Sequence, residues 1–186
     1  MKRTTSRTGA IGALAAFMRR RAGQRAVSDQ RGAVYVEFLI AFFPIFTFFL
    51  GLVQLADLHQ ANIITHHAAV MAARTAIVVL PDDPQYYNNT APNHFDGERR
   101  DAIKKAAMQS LLASRSITEF RVTLPSSPKG DDDQKDVKRN DLVRVAITAH
   151  FQCRVPLVSK IVCDSEGMRT LRAESAMPNQ GADYEY

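Results

Sequence analysis

From Ala33 to Ala56 the chain carries a single charged side chain, Glu37. As a helix, twenty-four residues rising 1.5 Å each span about 36 Å, enough for a hydrocarbon core of about 30 Å. The inner part, Phe38 to Val53, reads FLIAFFPIFTFFLGLV and holds six phenylalanines. Soluble core helices rarely carry so many, so the run predicts a transmembrane helix, with a buried soluble helix as the weaker alternative. Phe38, Phe42, Phe46 and Phe49 follow helical spacing. That stripe suits lipid, and a subunit contact is its other reading. Pro44 cannot donate a backbone hydrogen bond, which predicts a kink or a loosened turn.

Charge is distributed as unevenly as hydrophobicity. Residues 1–32 hold Lys2, Arg3, Arg7, Arg19, Arg20, Arg21, Arg25 and Arg31 against Asp29. The net +7 of this leader leaves −2 for the remainder of a chain whose total is +5. Basic residues beside a span stay cytoplasmic, so the leader is expected inside and the body outside. Anionic head groups account for the arginines without nucleic acid. A membrane-tethered nucleic-acid binder is the reading that survives only if the leader does. Ala10 to Met18 is a short apolar patch followed by three arginines, a poor match to a signal peptide. Translation could begin at Met1 or at Met18.

The length of 186 residues allows one folded domain with an appendage. With 46% hydrophobic residues, disorder throughout is excluded. No internal repeat is present.

An acid within an apolar span costs roughly 2.5–3.5 kcal/mol at mid-helix, and less near an interface. The helix N-terminus offers Glu37 one form of relief. A cationic partner offers another. Cleavage after Gly32 would make Ala33 the first residue, with a free amine, and Glu37 the fifth.

Arg31-Gly32-Ala33-Val34-Tyr35-Val36-Glu37-Phe38 before a long apolar helix resembles the class III signal of type IV pilin-like proteins. The nearer resemblance is to TadE-like minor pseudopilins of the tight-adherence, or Flp-type, pilus. It rests on Arg31, Gly32, Val36, Glu37, Phe38, Pro44, Gly51 and the polar, Ala-rich stretch Gln54 to Ala76, and covers Arg31 to Leu80. A fainter echo is Ala173 to Asn179. The major Flp pilins are similar to a lesser degree. The resemblance implies that a prepilin peptidase cuts between Gly32 and Ala33 and that Glu37 guides assembly. The implied partners are that peptidase, other pilin and pseudopilin subunits, an inner-membrane assembly platform and membrane lipid, with no nucleic acid.

Gln54 to Val79 keeps helical character, with Leu55, Ile63, Val70 and Ile77 as an apolar ridge and Pro81 as its stop. One helix from about residue 33 to 80 would be about 72 Å long, half in lipid and half packed on a head. Pro81 to Phe95 reads as a loop. Glu98 to Ser114 is a second amphipathic helix, with Ile103, Ala106, Ala107, Leu111 and Leu112 on one face. Strands are expected at Glu119–Leu124, Leu142–Gln152 and Met168–Ala176, with a charged loop at 125–139 and a polar tail from Pro178. The fold class expected is α+β and pilin-like: a long N-terminal transmembrane helix packed on a small antiparallel sheet, with a second helix. The organisation is a basic cytoplasmic leader, 1–32, a transmembrane segment, 33–56, and an extracytoplasmic head, 57–186, whose helix 57–80 continues the span.

Little in the body suggests chemistry. Cys153 and Cys163 are the only cysteines, in the part assigned to an oxidising periplasm, and a disulfide is the favoured reading. Free thiols and a metal site are the alternatives. His59, His66 and His67 on the long helix read as surface or packing residues. Asp131-Asp132-Asp133 and Asp136 lack EF-hand spacing and read as a solvated loop, with a weak calcium site as the alternative. No nucleophile, phosphate-binding or zinc-protease motif occurs. The expectation is therefore a non-enzyme without cofactor or metal. It would sit in a bacterial inner membrane as a single-pass protein with its head periplasmic, or in an extracellular filament. The alternative is an uncleaved single-span membrane-anchored binding module or assembly scaffold.

Overall fold

The computed structural model describes residues 30–138 and 140–179. Most of the basic leader, with the choice between Met1 and Met18, lies outside the described residues, as does the end of the polar tail. The chain divides into two units between Phe48 and Phe49. One α-helix, α1 (Gln30–Val79), supplies the described part of the first unit and the opening element of the second.

Within the first unit α1 runs through Pro44 without a break in its assignment. Thr47 Oγ1 donates to the Phe43 carbonyl at 2.8 Å. The rings of Phe38, Phe42 and Phe46 stack in succession, with centroids 5.3 and 5.4 Å apart. None of the most apolar window of α1, mean hydropathy 2.3, is buried by protein. A soluble protein rarely leaves so much contiguous apolar surface uncovered. The helix is long and apolar enough to cross a membrane, and its bareness sets it apart from the core helix of a soluble fold.

In the second unit, α1 is followed by a 3-10 turn (Pro84–Tyr87), α2 (Gly97–Leu111), β1 (Ile117–Thr123), β2 (Leu142–Gln152), the short α3 (Ser159–Val162) and β3 (Met168–Pro178). The three strands form an antiparallel meander with β2 in the centre. Val122 lies opposite Ile147, and Ile147 opposite Ala173. A register shift interrupts β1 between Ile117 and Glu119. The alternation read in β2 is realised: Val143, Val145, Ile147, Ala149 and Phe151 are all buried.

The core brings one face of α1 together with α2 and the sheet. Ala68, Ala69, Ala72, Ala73 and Ala76 meet Ile103, Ala107, Val143, Val145 and Ile147 there. A smaller cluster joins Ala61 to Phe151 and Leu171. Thr65, also buried, satisfies its hydroxyl on the Ala61 carbonyl at 2.8 Å. Of the ridge expected from the sequence, only Ile77 packs against the core, and it is half-buried. Leu55 is 55% exposed and Ile63 56%, and Val70 is also exposed. At 100° per residue the ridge is centred roughly 110° around the helix from the alanines. Alanine gives the helix side of that interface small side chains, and the larger ones come from the sheet and α2.

Leu80 N–H still bonds the Ala76 carbonyl at 2.9 Å, and Pro81 then ends the helix, as expected. Helix α2 begins at Asp96, whose carboxylate accepts from Gly97 N–H at 2.8 Å. It ends three residues earlier than the sequence suggests. Its buried residues are Arg99, Ile103, Ala107 and Leu111, a strict four-residue period. Leu112 is exposed instead.

Candidate functional site

Gly32, Ala33 and Glu37 fall on α1 and share one shallow strip of its surface with Val36, Ile40 and Ala41. All are exposed. A Cβ placed on Gly32 would meet no atom within 4 Å. The chain's own packing therefore does not require glycine there. Gly32 and Ala33 lie in the first helical turn, where backbone N–H groups lack intrahelical acceptors. Glu37 has no hydrogen bond or ion pair among the described residues. It is one helical turn beyond Ala33, the i, i+4 relation that brings two side chains together. The arrangement places a carboxyl group on an apolar face with no partner among the described residues, a group that a cation at the same depth would stabilise.

Cys153 and Cys163 form a disulfide with Cα atoms 6.6 Å apart. The bridge closes the segment that follows β2 and contains α3. On the chain-entropy account, closing a loop of about ten residues contributes roughly 2–3 kcal/mol. The expected disulfide is present, so neither thiol is free to hold a metal.

This loop is tied to α1 by a residue that the sequence reading passed over. Gln54, fully buried, accepts the backbone N–H of Val155 on its Oε1 at 2.9 Å. It is the only side-chain amide in the apolar run, which was the signal available. The other side of the loop is held by Cys153 N–H on the Gly167 carbonyl at 2.8 Å.

Arg99 is the second residue missed. Its guanidinium is buried and donates to the carbonyls of Val79, Leu80, Asp82 and Thr90. It also lies 4.4 Å from the centroid of the Tyr87 ring. The C-terminal end of α1 presents unpaired carbonyls and a partial negative charge, and Arg99 answers both. Burial lowers the Arg99 pKa and raises that of Tyr87, whose hydroxyl donates to Asp82 at 3.0 Å.

The acidic run is not merely solvated. Asp131 pairs with Arg172. Asp132 accepts from Ser126 N–H at 2.9 Å. Asp133 accepts from Leu124 N–H at 3.0 Å and pairs with Arg100 at 2.8 Å. Asp136 contacts His94 at 2.6 Å. Asp133 and Asp131 thus link the loop to α2 and β3, Asp136 links it to His94, and Asp132 stays within the loop. His67 contacts Ser110 at 3.2 Å, and His59 lines a groove with Leu55 and Leu171. Among the described residues, no group of three His, Cys, Asp or Glu side chains converges to hold a metal ion.

Comparison with protein-family models, curated proteins and solved structures finds no match to this chain.

Proposed function

We propose that this protein is a TadE-like minor pseudopilin, cut after Gly32 by a prepilin peptidase and assembled into, or priming, a tight-adherence pilus or a related secretion pseudopilus. The observation that carries the reading is Glu37. It is an exposed carboxylate without a partner among the described residues, one turn past the Gly32–Ala33 bond, on a helix whose apolar window is wholly uncovered by protein. Cleavage would place a cationic α-amine at Ala33. That amine, on the same chain or on a neighbouring subunit, would neutralise Glu37 in a medium where an ion pair is worth far more than in water. Gly32 would serve the peptidase rather than the fold, since the chain itself leaves its side open.

On this reading the protein is not an enzyme and needs no cofactor. The apolar half of α1 rests in lipid and later packs in a filament. The α+β head, with its sheet on the alanine face of α1, is the pilin-like part, held outside the cytoplasm. It presents surfaces to other subunits and to the assembly platform.

The test is the N-terminal sequence and intact mass of the native protein from membranes and from sheared filaments. A mature start at Ala33 is expected. An intact basic N-terminus would replace this reading with the uncleaved anchored module.

A further inference from the structure

The loop closed by Cys153 and Cys163 presents two large apolar side chains that nothing in the head covers. Ile161 is 79% exposed and Leu157 56%. Leu157 also holds φ 70°, a left-handed conformation that residues with large side chains rarely adopt. Unfavoured backbone of this kind persists where the surroundings enforce it and often marks a functional surface.

The position of the loop is fixed by Gln54. Val155 N–H is bonded to the Gln54 side chain, and Gln54 stands in the last turn of the apolar run, three residues before the first acid after it, Asp57. A bilayer that takes up the run therefore ends at the level of this loop.

Basic groups flank the apolar pair. Arg154 and Lys160 are exposed within the loop, and Arg154 also donates to the Arg115 carbonyl. Arg169, at the start of β3, donates to the Val162 carbonyl at 3.1 Å. It also shares a groove of about 600 Å³ with Leu52, Leu55 and Ala56 of α1. The nearby acids are Asp57, which shares a pocket with Arg154, and Asp164 and Glu166. The Asp164 carboxylate is taken up by the backbone N–H groups of Glu166 and Met168.

We propose that the disulfide-closed loop is a second membrane contact, in which Leu157 and Ile161 enter the boundary between head groups and acyl chains while Arg154, Lys160 and Arg169 meet lipid phosphates. The proposal rests on the reading of residues 33–56 as a membrane span. Apolar side chains flanked by basic ones are the pattern by which surface segments hold to an anionic bilayer. The Gln54 bond and the disulfide present that pattern already ordered.

The chain has no tryptophan, so single substitutions in the full-length protein report depth directly. Ile161→Trp, Phe48→Trp and Tyr86→Trp would each be reconstituted in phosphatidylethanolamine–phosphatidylglycerol vesicles containing lipids brominated along the acyl chain. Tyr86, 72% exposed, lies in the 3-10 turn beyond the far end of α1. Loss of most fluorescence is expected for Phe48→Trp and Ile161→Trp, and none for Tyr86→Trp. Quenching at Phe48→Trp with Ile161→Trp behaving like Tyr86→Trp would overturn the loop contact and leave the span standing. An unquenched Phe48→Trp would overturn both, and equal quenching at all three sites would show a chain lying on the surface, which also defeats the proposal. Adding Lys160→Glu to Ile161→Trp should reduce quenching in these vesicles but not in neutral phosphatidylcholine. An unchanged signal would overturn the phosphate contact.

Discussion

Gln54 and Val155 are joined by a 2.9 Å hydrogen bond across 101 positions of sequence. The bond fastens the disulfide loop to the helix at the point where the apolar run ends. Gln54→Leu keeps the volume and removes the acceptor, leaving a half-buried N–H unpaired at a cost of about 1–3 kcal/mol. Hydrogen exchange should accelerate at Val155 and its neighbours while the β2 amides stay protected. Unchanged exchange at Val155 would show that the bond does not hold the loop.

Arg99 should be hard to replace. Arg99→Met removes the donors from four carbonyls at the end of α1 and its following loop, and a loss of about 3 kcal/mol is expected by denaturant titration. Arg99→Lys should recover little, because an ammonium lacks the planar fork that reaches several acceptors at once. Full recovery by lysine would mean that charge alone matters there.

The two faces of α1 after Ala61 should respond unequally to substitution. Ala72→Leu forces a larger side chain into the core shared by α1, α2 and the sheet and should cost about 1–3 kcal/mol. Ile63→Ala, on the exposed ridge, should stay within about 0.5 kcal/mol in the isolated protein. A reversed order in thermal melts would contradict the packing described.

These contrasts show what the sequence could and could not reveal. The apolar run, the stop at Pro81 and the alternation of β2 are local patterns, and each appears where expected. The alanine face was misjudged because branched residues make the more conspicuous stripe, while the buried face is chosen by how near a sheet can come. Arg99 escaped notice because its acceptors lie 9 to 20 positions away and a charged residue reads as surface. Its place one turn before Ile103 in a four-residue period was the overlooked sign. Glu37 stood out as an acid in an apolar run, but the reading of Gly32 and Ala33 as a cut site came from resemblance, since among the described residues none of the three has a contact that would explain it.

Acid should weaken the head through identifiable groups. Asp96 is held below the usual carboxylate range chiefly by the Gly97 N–H, and Asp132 chiefly by the Ser126 hydroxyl and then its N–H. A carboxylate with a lowered folded pKa stabilises above its unfolded value, 3.8 for these groups, and loses that contribution as pH falls through the folded value. The melting temperature should therefore be steady near neutrality and drop below about pH 4. Asp132→Asn should melt lower than the parent at pH 7, and the gap should close in acid. A gap independent of pH would assign the effect to packing.

Processing and assembly should separate genetically. Gly32→Ala introduces no clash and favours the helix by about 1 kcal/mol, so precursor accumulating in membranes would implicate the peptidase rather than misfolding. Glu37→Gln should mature normally yet yield few filaments on shearing. Normal maturation of Gly32→Ala and of bulkier variants would count against the cut site, and normal filament yield from Glu37→Gln would remove the pairing role.

The alanine stripe has one more consequence. A surface made of methyl groups specifies distance but hardly any shape, whereas the β2 and α2 side chains that meet it specify shape in detail. The two sides of this interface thus carry unequal latitude for change. The sheet and α2 can exchange one aliphatic residue for another of similar volume and so remodel the outer head over generations, while the helix beneath them stays a fixed rail whose small residues admit almost no enlargement.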